Sequence, residues 1–203
     1  MDNRNRNIAV GFCLLFAVVG RLPAQNNTAE VFGGYSYAKI NPEAPLPKQN
    51  SSGWFGGVTG YAFPWFAATI EFAAQFGSSP APSTVGGTAL NFKEYSYMAG
   101  PQFRFVDRKR VQSSFKVLLG GSFGQAHLPS GESAANTQLL AAAGYTGFNQ
   151  TKFAALFAVP VDLTITKMIG VRVEPGLYLT DFNKTKQSNF RFSIGPVFRF
   201  GAR

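Results

Sequence analysis

The chain has 203 residues, a formal net charge of +9 and a single cysteine. This length suits one domain, or a small domain with a removable leader, and one cysteine excludes a disulfide framework within the chain. The Lys and Arg residues are scattered, with Arg108-Lys109-Arg110 as the longest run, so the charge favours a solvated turn over an anionic lipid surface, and both over nucleic acid.

Residues 1–24 have the features of a secretory signal peptide. Two arginines precede an uncharged apolar run over residues 8–20, and Ala24 supplies a small residue for cleavage. The run is shorter than the roughly 20 residues that a membrane-spanning helix needs. We therefore expect cleavage after Ala24, which leaves residues 25–203 as one mature domain without cysteine, because Cys13 lies in the leader.

After the leader, runs of about 9–12 residues alternate apolar side chains with small or polar ones, which is typical of transmembrane β-strands. The last run is the clearest, because aromatic residues from Phe190 to Phe200 share one face while Arg191, Ser193 and Arg199 share the other. The pattern predicts strands over residues 30–39, 53–63, 66–76, 92–105, 113–124, 152–165, 169–179 and 189–200.

The predicted connections alternate between long and short. The long ones are 40–52, 77–91, 125–151 and 180–188, and the third of these is expected to contain a short helix over 134–143. Tight turns on one side and long loops on the other indicate an all-β fold, a closed antiparallel up-and-down transmembrane β-barrel of about eight strands. With an even number of strands, both termini fall on the short-turn side.

Two short turns allow a test of register. A two-residue turn at Pro64-Trp65 predicts the pairs Phe63 with Phe66 and Tyr61 with Ala68. A three-residue turn at 166–168 predicts the pairs Ile165 with Ile169, Leu163 with Val171, Val161 with Val173 and Asp162 with Arg172. Both turns keep apolar residues on one face, and a slip of one residue would destroy that agreement.

The face opposite the apolar stripe is rich in small residues and carries charges of both signs, which suits a narrow polar lumen. The predicted luminal charge network consists of Glu71, Lys116, Asp162, Arg172, Glu174 and Arg191, with Glu94 on the same face. Such charges either plug the lumen or line an ion path, and the small bore of eight strands favours the plug.

Four prolines fall inside predicted strands: Pro101, Pro160, Pro175 and Pro196. Proline cannot donate a backbone hydrogen bond, and a closed barrel has no free edge to accommodate it. We therefore expect bulges or early strand ends at these positions.

The end of the chain resembles the C-terminal assembly signal of outer-membrane barrels, with Ser193, Gly195, Phe198 and Phe200 at its characteristic positions. The mature chain also resembles the OmpA-like transmembrane domain, or outer membrane protein beta-barrel, family in the segments 31–37, 53–54, 99–103 and 161–163. The resemblance implies an eight-stranded barrel in a bacterial outer membrane, surrounded by its lipid and inserted by the barrel assembly machinery.

Chemistry-bearing motifs are sparse. His127 is the sole histidine, and only a forced grouping with Ser130, Glu132 or Ser133 would give a nucleophilic site. No cluster has metal-ligand spacing, so no enzyme activity, metal or cofactor is expected. The expected function is that of a monomeric structural or surface-interaction barrel; a narrow small-solute channel and a soluble periplasmic lipid-binding barrel are the alternatives.

Overall fold

The computed structural model describes residues 29–40, 49–79, 90–127, 149–182 and 185–201. The predicted leader, the predicted helix over 134–143 and the possible partners of His127 at positions 130, 132 and 133 lie outside the described residues. Within the described ranges, no helix is long and apolar enough to cross a bilayer.

The described residues form nine strands, all paired antiparallel. They are β1 Ala29–Ile40, β2 Gln49–Phe63, β3 Phe66–Ser79, β4 Leu90–Asp107, β5 Val111–His127, β6 Asn149–Ala158, β7 Val161–Thr164, β8 Ile169–Phe182 and β9 Thr185–Phe200. Strands that follow one another along the chain pair with each other, except β6 with β7, and β1 also pairs with β9, which closes the ring. Because β6 and β7 lie end to end between β5 and β8, the wall has eight strand positions, and the predicted fold class is confirmed.

Proline ends a strand at one place in the wall. Between β6 and β7 the register continues unchanged, from Lys116 opposite Ala158 to Ser113 opposite Val161, but Val159 and Pro160 leave the ladder. The Pro160 carbonyl still accepts the Ser114 N–H at 3.0 Å. The strand end expected at Pro160 is therefore confirmed.

The same expectation is wrong for Pro101, Pro175 and Pro196, which lie inside continuous strands. Each remains paired with one neighbouring strand, opposite Ala68, Phe192 and Val171 respectively. The ladder on the other side is interrupted beside each of them. A strand residue directs its N–H toward only one neighbour, so the missing donor opens a gap on one side without ending the strand.

The strands are longer than predicted, because the hydrogen-bonded ladder continues into polar sequence. The largest difference is at the last hairpin, where Phe182 pairs with Thr185 and only two residues separate β8 from β9. The predicted long connection over 180–188 is therefore wrong. Residues 41–48, 80–89 and 128–148 separate the other strands at that end of the barrel.

The turn at the end of β7 has the predicted register, with Leu163 opposite Val171 and Asp162 opposite Arg172. The turn after β2 does not. Phe63 pairs with Phe66 as expected, but an irregularity between Tyr61 and Phe63 places Tyr61 opposite Ala67 instead of Ala68. Tyr61 therefore lies on the luminal face with Phe55 and Thr59, where it is buried, and the extra residue after it turns Phe63 outward.

Large apolar side chains face outward and charged ones face inward. Phe72 is 52% exposed, whereas the next residue along β3 toward the turn, Glu71, is 0% exposed. Exposed aromatic residues gather near both ends of the wall: Tyr35, Trp54, Phe76, Tyr95 and Tyr97 near the loops, and Phe63, Trp65, Phe103, Phe105, Phe198 and Phe200 near the turns. An apolar band between two aromatic girdles is typical of the outer surface of a membrane barrel. A soluble barrel has the opposite arrangement, with its apolar side chains inside.

Candidate functional site in the barrel lumen

Strand alternation places one charged layer at mid-height in the lumen. This central cluster consists of Glu71 on β3, Lys116 on β5, Glu174 on β8 and Arg191 on β9, all buried. The Lys116 ammonium lies 2.5 Å from a Glu71 carboxylate oxygen and 2.7 Å from one of Glu174. Arg191 donates to Glu71 and lies 3.9 Å from Glu174. Two carboxylates therefore face two cations, and the cluster is neutral overall.

A second layer lies nearer the turns and the chain ends. The turn-end cluster comprises Glu30 on β1, Arg104 on β4, Asp162 on β7, Arg172 on β8 and Arg199 on β9. Arg172 donates two hydrogen bonds to the Asp162 carboxylate, from Nε at 2.7 Å and from Nη2 at 2.9 Å. Its Nη2 also donates to Glu30 at 2.7 Å. A bidentate arginine–carboxylate pair of this kind fixes the orientation of both side chains and also neutralises their charges.

Glu30 connects the turn-end cluster across the barrel. Its carboxylate accepts a hydrogen bond from Arg104 Nη2 at 3.1 Å, and Arg199 Nε lies 3.7 Å from the same oxygen. Arg199 Nη2 reaches Asp162 at 3.3 Å. Because Glu30 and Arg199 lie on the two strands that close the ring, these contacts tie the seam between β1 and β9 to the opposite wall.

Aromatic rings separate and cover the charged layers. The Phe32 ring lies between the two clusters, with the Lys116 ammonium 5.1 Å and the Arg172 guanidinium carbon 4.5 Å from its centroid. The Arg104 guanidinium carbon lies 4.2 Å from the centroid of Tyr61. A cation over a ring face is attracted to it, so the rings fill space and partly replace lost hydration.

Among the described residues, the polar contacts in the loop-end part of the lumen are hydrogen bonds and not ion pairs. Glu94 accepts a hydrogen bond from Ser122 at 2.5 Å and another from Tyr178 at 2.6 Å. Elsewhere, Gln75 donates to Ser36 at 2.7 Å, and the Ser36 hydroxyl lies 3.1 Å from that of Ser193. These buried polar side chains have partners on other strands, so the loop-end part of the interior is a packed polar core.

Solved structures of bacterial surface and outer-membrane proteins share this architecture. Ail, the attachment invasion locus protein of Yersinia pestis, matches with a TM-score of 0.58 and 15% identity, covering 87% of this chain and 100% of Ail. Neisserial surface protein A matches with a TM-score of 0.61 and 16% identity, covering 85% of this chain and 97% of that protein. The outer membrane protein OprG of Pseudomonas aeruginosa matches with a TM-score of 0.50 and 9% identity, covering 88% of this chain and 98% of OprG. No protein-family model matches the chain, and no curated protein matches its sequence.

This fold is that of an eight-stranded outer-membrane β-barrel. Together with the apolar exterior, it places the chain in the outer membrane of a bacterium, as the sequence predicted.

All six predicted luminal charges face the interior of the barrel and are buried. Four of them form the central cluster, whereas Asp162 and Arg172 belong to the turn-end cluster. Three further members were missed: Glu30, Arg104 and Arg199. The signal for the two arginines was present in the sequence, because Arg104 lies between Phe103 and Phe105 and Arg199 between Phe198 and Phe200, with strict alternation.

The four residues of the predicted assembly signal lie on β9 at the closing seam. Ser193 faces the lumen, whereas Phe198 and Phe200 are exposed at the turn-end girdle. Gly195 lies against β1 so closely that an added Cβ would be 2.0 Å from the Gly33 carbonyl oxygen. Gly195 is therefore needed for seam packing, and recognition by the assembly machinery stays a prediction.

The described residues offer little for catalysis or metal binding. His127 ends β5, with its backbone paired opposite Asn91. No group of three or more His, Cys, Asp or Glu residues in the described ranges could hold a metal ion. The chemistry that the described lumen supports is charge neutralisation and packing between walls.

Proposed function

We propose that this chain is a plugged outer-membrane barrel whose strands anchor surface loops, and that it neither conducts solutes nor catalyses a reaction. The observation that carries the proposal is the set of ion pairs across the lumen. Lys116 joins Glu71 on β3 to Glu174 on β8, and these strands occupy opposite positions in a wall of eight. Glu30 and Arg104 likewise join β1 to β4.

A solute crossing this lumen would have to separate buried charges from their partners. Removing one member of a buried ion pair typically costs about 3–5 kcal/mol. In addition, an eight-stranded barrel has room for little more than its own side chains. The filled interior supports a closed plug over the channel alternative. It also argues against a lipid-binding cavity, which would need an apolar interior.

The loops are the part of the chain left for interaction. Residues 41–48, 80–89 and 128–148 join strands at the end of the barrel opposite the start of β1 and the end of β9. Ail is by name an attachment protein, and Neisserial surface protein A is by name a surface protein. We place this chain in the same role, as a monomer in outer-membrane lipid that the barrel assembly machinery inserts by reading Ser193, Gly195, Phe198 and Phe200.

Conductance in planar bilayers tests the plug. The refolded wild-type barrel, verified by heat-modifiable gel migration, should add no steady current to that of the bare bilayer. The matched control removes the whole central cluster at once, with Glu71, Lys116, Glu174 and Arg191 each replaced by Ala. This variant leaves no unpaired charge in that layer and should conduct. Steady openings of the wild-type protein would favour the channel and overturn the proposal.

Epitope labelling tests the presentation of loops. An epitope inserted within 128–148 should bind antibody on intact cells. The same epitope inserted between Lys109 and Arg110, in the turn after β4, should bind only after the outer membrane is permeabilised. Labelling of the turn but not the loop on intact cells would contradict the proposed orientation.

A further inference from the structure

The turn end of the barrel carries four exposed cations on one side of its rim. They are Arg108, Lys109 and Arg110 in the turn between β4 and β5, and Lys167 in the turn between β7 and β8; together they form the basic rim. The two turns are neighbours, because the Thr164 N–H donates to the Arg110 carbonyl at 2.9 Å. Four positive charges from separate parts of the sequence therefore share one surface.

The acidic side chain beside the basic rim contacts other residues of the barrel. Asp107, the last residue of β4, is the one acidic residue described within or directly beside these two turns. It accepts a hydrogen bond from Gln112 at 2.8 Å, and its other oxygen lies 3.9 Å from Arg104 of the lumen. Its partners are thus on the luminal side, which leaves the basic rim with an excess of positive charge toward its surroundings.

The basic rim adjoins the apolar exterior. Phe105, Ile165 and Met168 lie in or beside the same two turns, and each is more than half exposed. Exposed apolar side chains at this height belong in the membrane interface, where the neighbouring cations reach lipid headgroups. The remaining turn at this end, Pro64-Trp65, carries aromatic residues and no charge. The barrel itself therefore contains an uncharged surface for comparison.

We propose that the basic rim binds the headgroups of anionic phospholipids in the leaflet at the turn end of the barrel. Four cations beside membrane-facing apolar residues match a negatively charged lipid surface in both charge and position. Lys and Arg close to such a surface each favour anionic lipid, and the attraction is screened within a Debye length. The proposal concerns the turn end and is independent of the role proposed for the loops.

Quenching of tryptophan fluorescence by brominated lipid tests the proposal. The chain has two tryptophans. A variant with Trp54→Phe, Trp65→Phe and Ile165→Trp reports from the basic rim, and Trp54→Phe alone reports from the uncharged turn through Trp65. Both are refolded into phosphatidylcholine vesicles containing phosphatidylglycerol, with bromine on one lipid or the other, and heat-modifiable migration verifies folding.

At low salt, the quenching at position 165 should show that phosphatidylglycerol binds at least about fivefold more favourably than phosphatidylcholine. A fivefold preference is the effect expected of a single cation near an anionic surface. Trp65 should show little preference. Replacing Arg108, Lys109, Arg110 and Lys167 with Gln, or raising the salt concentration, should remove the preference at position 165. Equal preferences at the two reporters, or a preference that survives the four substitutions, would overturn the proposal.

Discussion

The two charged layers of the lumen differ in balance and in isolation from water. In the central cluster two carboxylates face two cations, and all four side chains are sealed inside the wall. The turn-end cluster has three arginines for two carboxylates. Its third arginine, Arg104, also approaches Asp107, whose side chain is 57% exposed at the rim. One layer is balanced and closed, whereas the other has a surplus cation and lies close to water.

This difference implies different sensitivity to substitution. In a balanced, sealed layer, the loss of any one partner leaves a charge that neither protein nor water can compensate. In a layer with a surplus of arginines, the remaining cations can still neutralise each carboxylate. We expect the free energy of unfolding to follow this order, and replacement by Met at each site permits a comparison at similar side-chain size.

The largest effect is expected for Lys116→Met. Glu174 would keep only Arg191, which is 3.9 Å away, and Glu71 would keep Arg191 alone. Leaving a buried carboxylate so poorly paired should lower the free energy of unfolding by about 3–5 kcal/mol. Urea unfolding in lipid vesicles, followed by tryptophan fluorescence, measures the loss.

The control for Lys116→Met is the double variant Lys116→Met/Glu174→Gln. Removing both members of a buried pair leaves no uncompensated charge, so most of the lost stability should return. A single substitution that costs less than about 1 kcal/mol would mean that water reaches the central cluster, and the contrast between the layers would fail.

A smaller loss, about 2–3 kcal/mol, is expected for Arg172→Met. The substitution removes the two-pronged contact with Asp162 and the 2.7 Å contact with Glu30. However, Asp162 keeps Arg199 at 3.3 Å and Glu30 keeps Arg104 at 3.1 Å. The same urea titration applies. If Arg172→Met destabilises the barrel more than Lys116→Met, the surplus arginines do not compensate for the loss.

The sequence predicted the membrane-facing stripe and the inward direction of the six luminal charges because alternation with period two assigns every strand residue to a face. The turn after β7 illustrates this, since its length and the pattern on both flanks agree on a single register, with Asp162 opposite Arg172. Where the alternation pattern and the turn length agree on one register, they determine which residues face each other across the hairpin.

The pattern could not reveal where the backbone departs from regular geometry. The irregularity before Phe63 lets Tyr61 face the lumen while Phe63, two residues later, faces outward, and only the backbone shows which residue is the extra one. Ion-pair partners are also beyond the pattern, because they depend on how strands are staggered around the ring. Glu174 lies two residues from Arg172 on the same face of β8, yet its ion-pair partners are Lys116 and Arg191.

Arg104, which the sequence analysis missed, provides the smallest effect. Its Nε has no hydrogen-bond partner among the described residues, and Arg104→Met would leave two arginines for two carboxylates. Glu30 would still receive Arg172 at 2.7 Å. The loss should therefore be about 1 kcal/mol or less, since apolar replacement of a buried charge is well tolerated when the remaining charges balance.

The opposite substitution in the same pair, Glu30→Gln, sharpens the comparison. It would leave Asp162 as the sole carboxylate of the turn-end cluster facing three arginines, and it would remove the link from β1 to both β4 and β8. Glu30→Gln should therefore destabilise the barrel clearly more than Arg104→Met in the same urea titration. Equal losses would show that the contact between Glu30 and Arg104, and not the charge balance of the turn-end cluster, determines its stability, because both substitutions break that one contact.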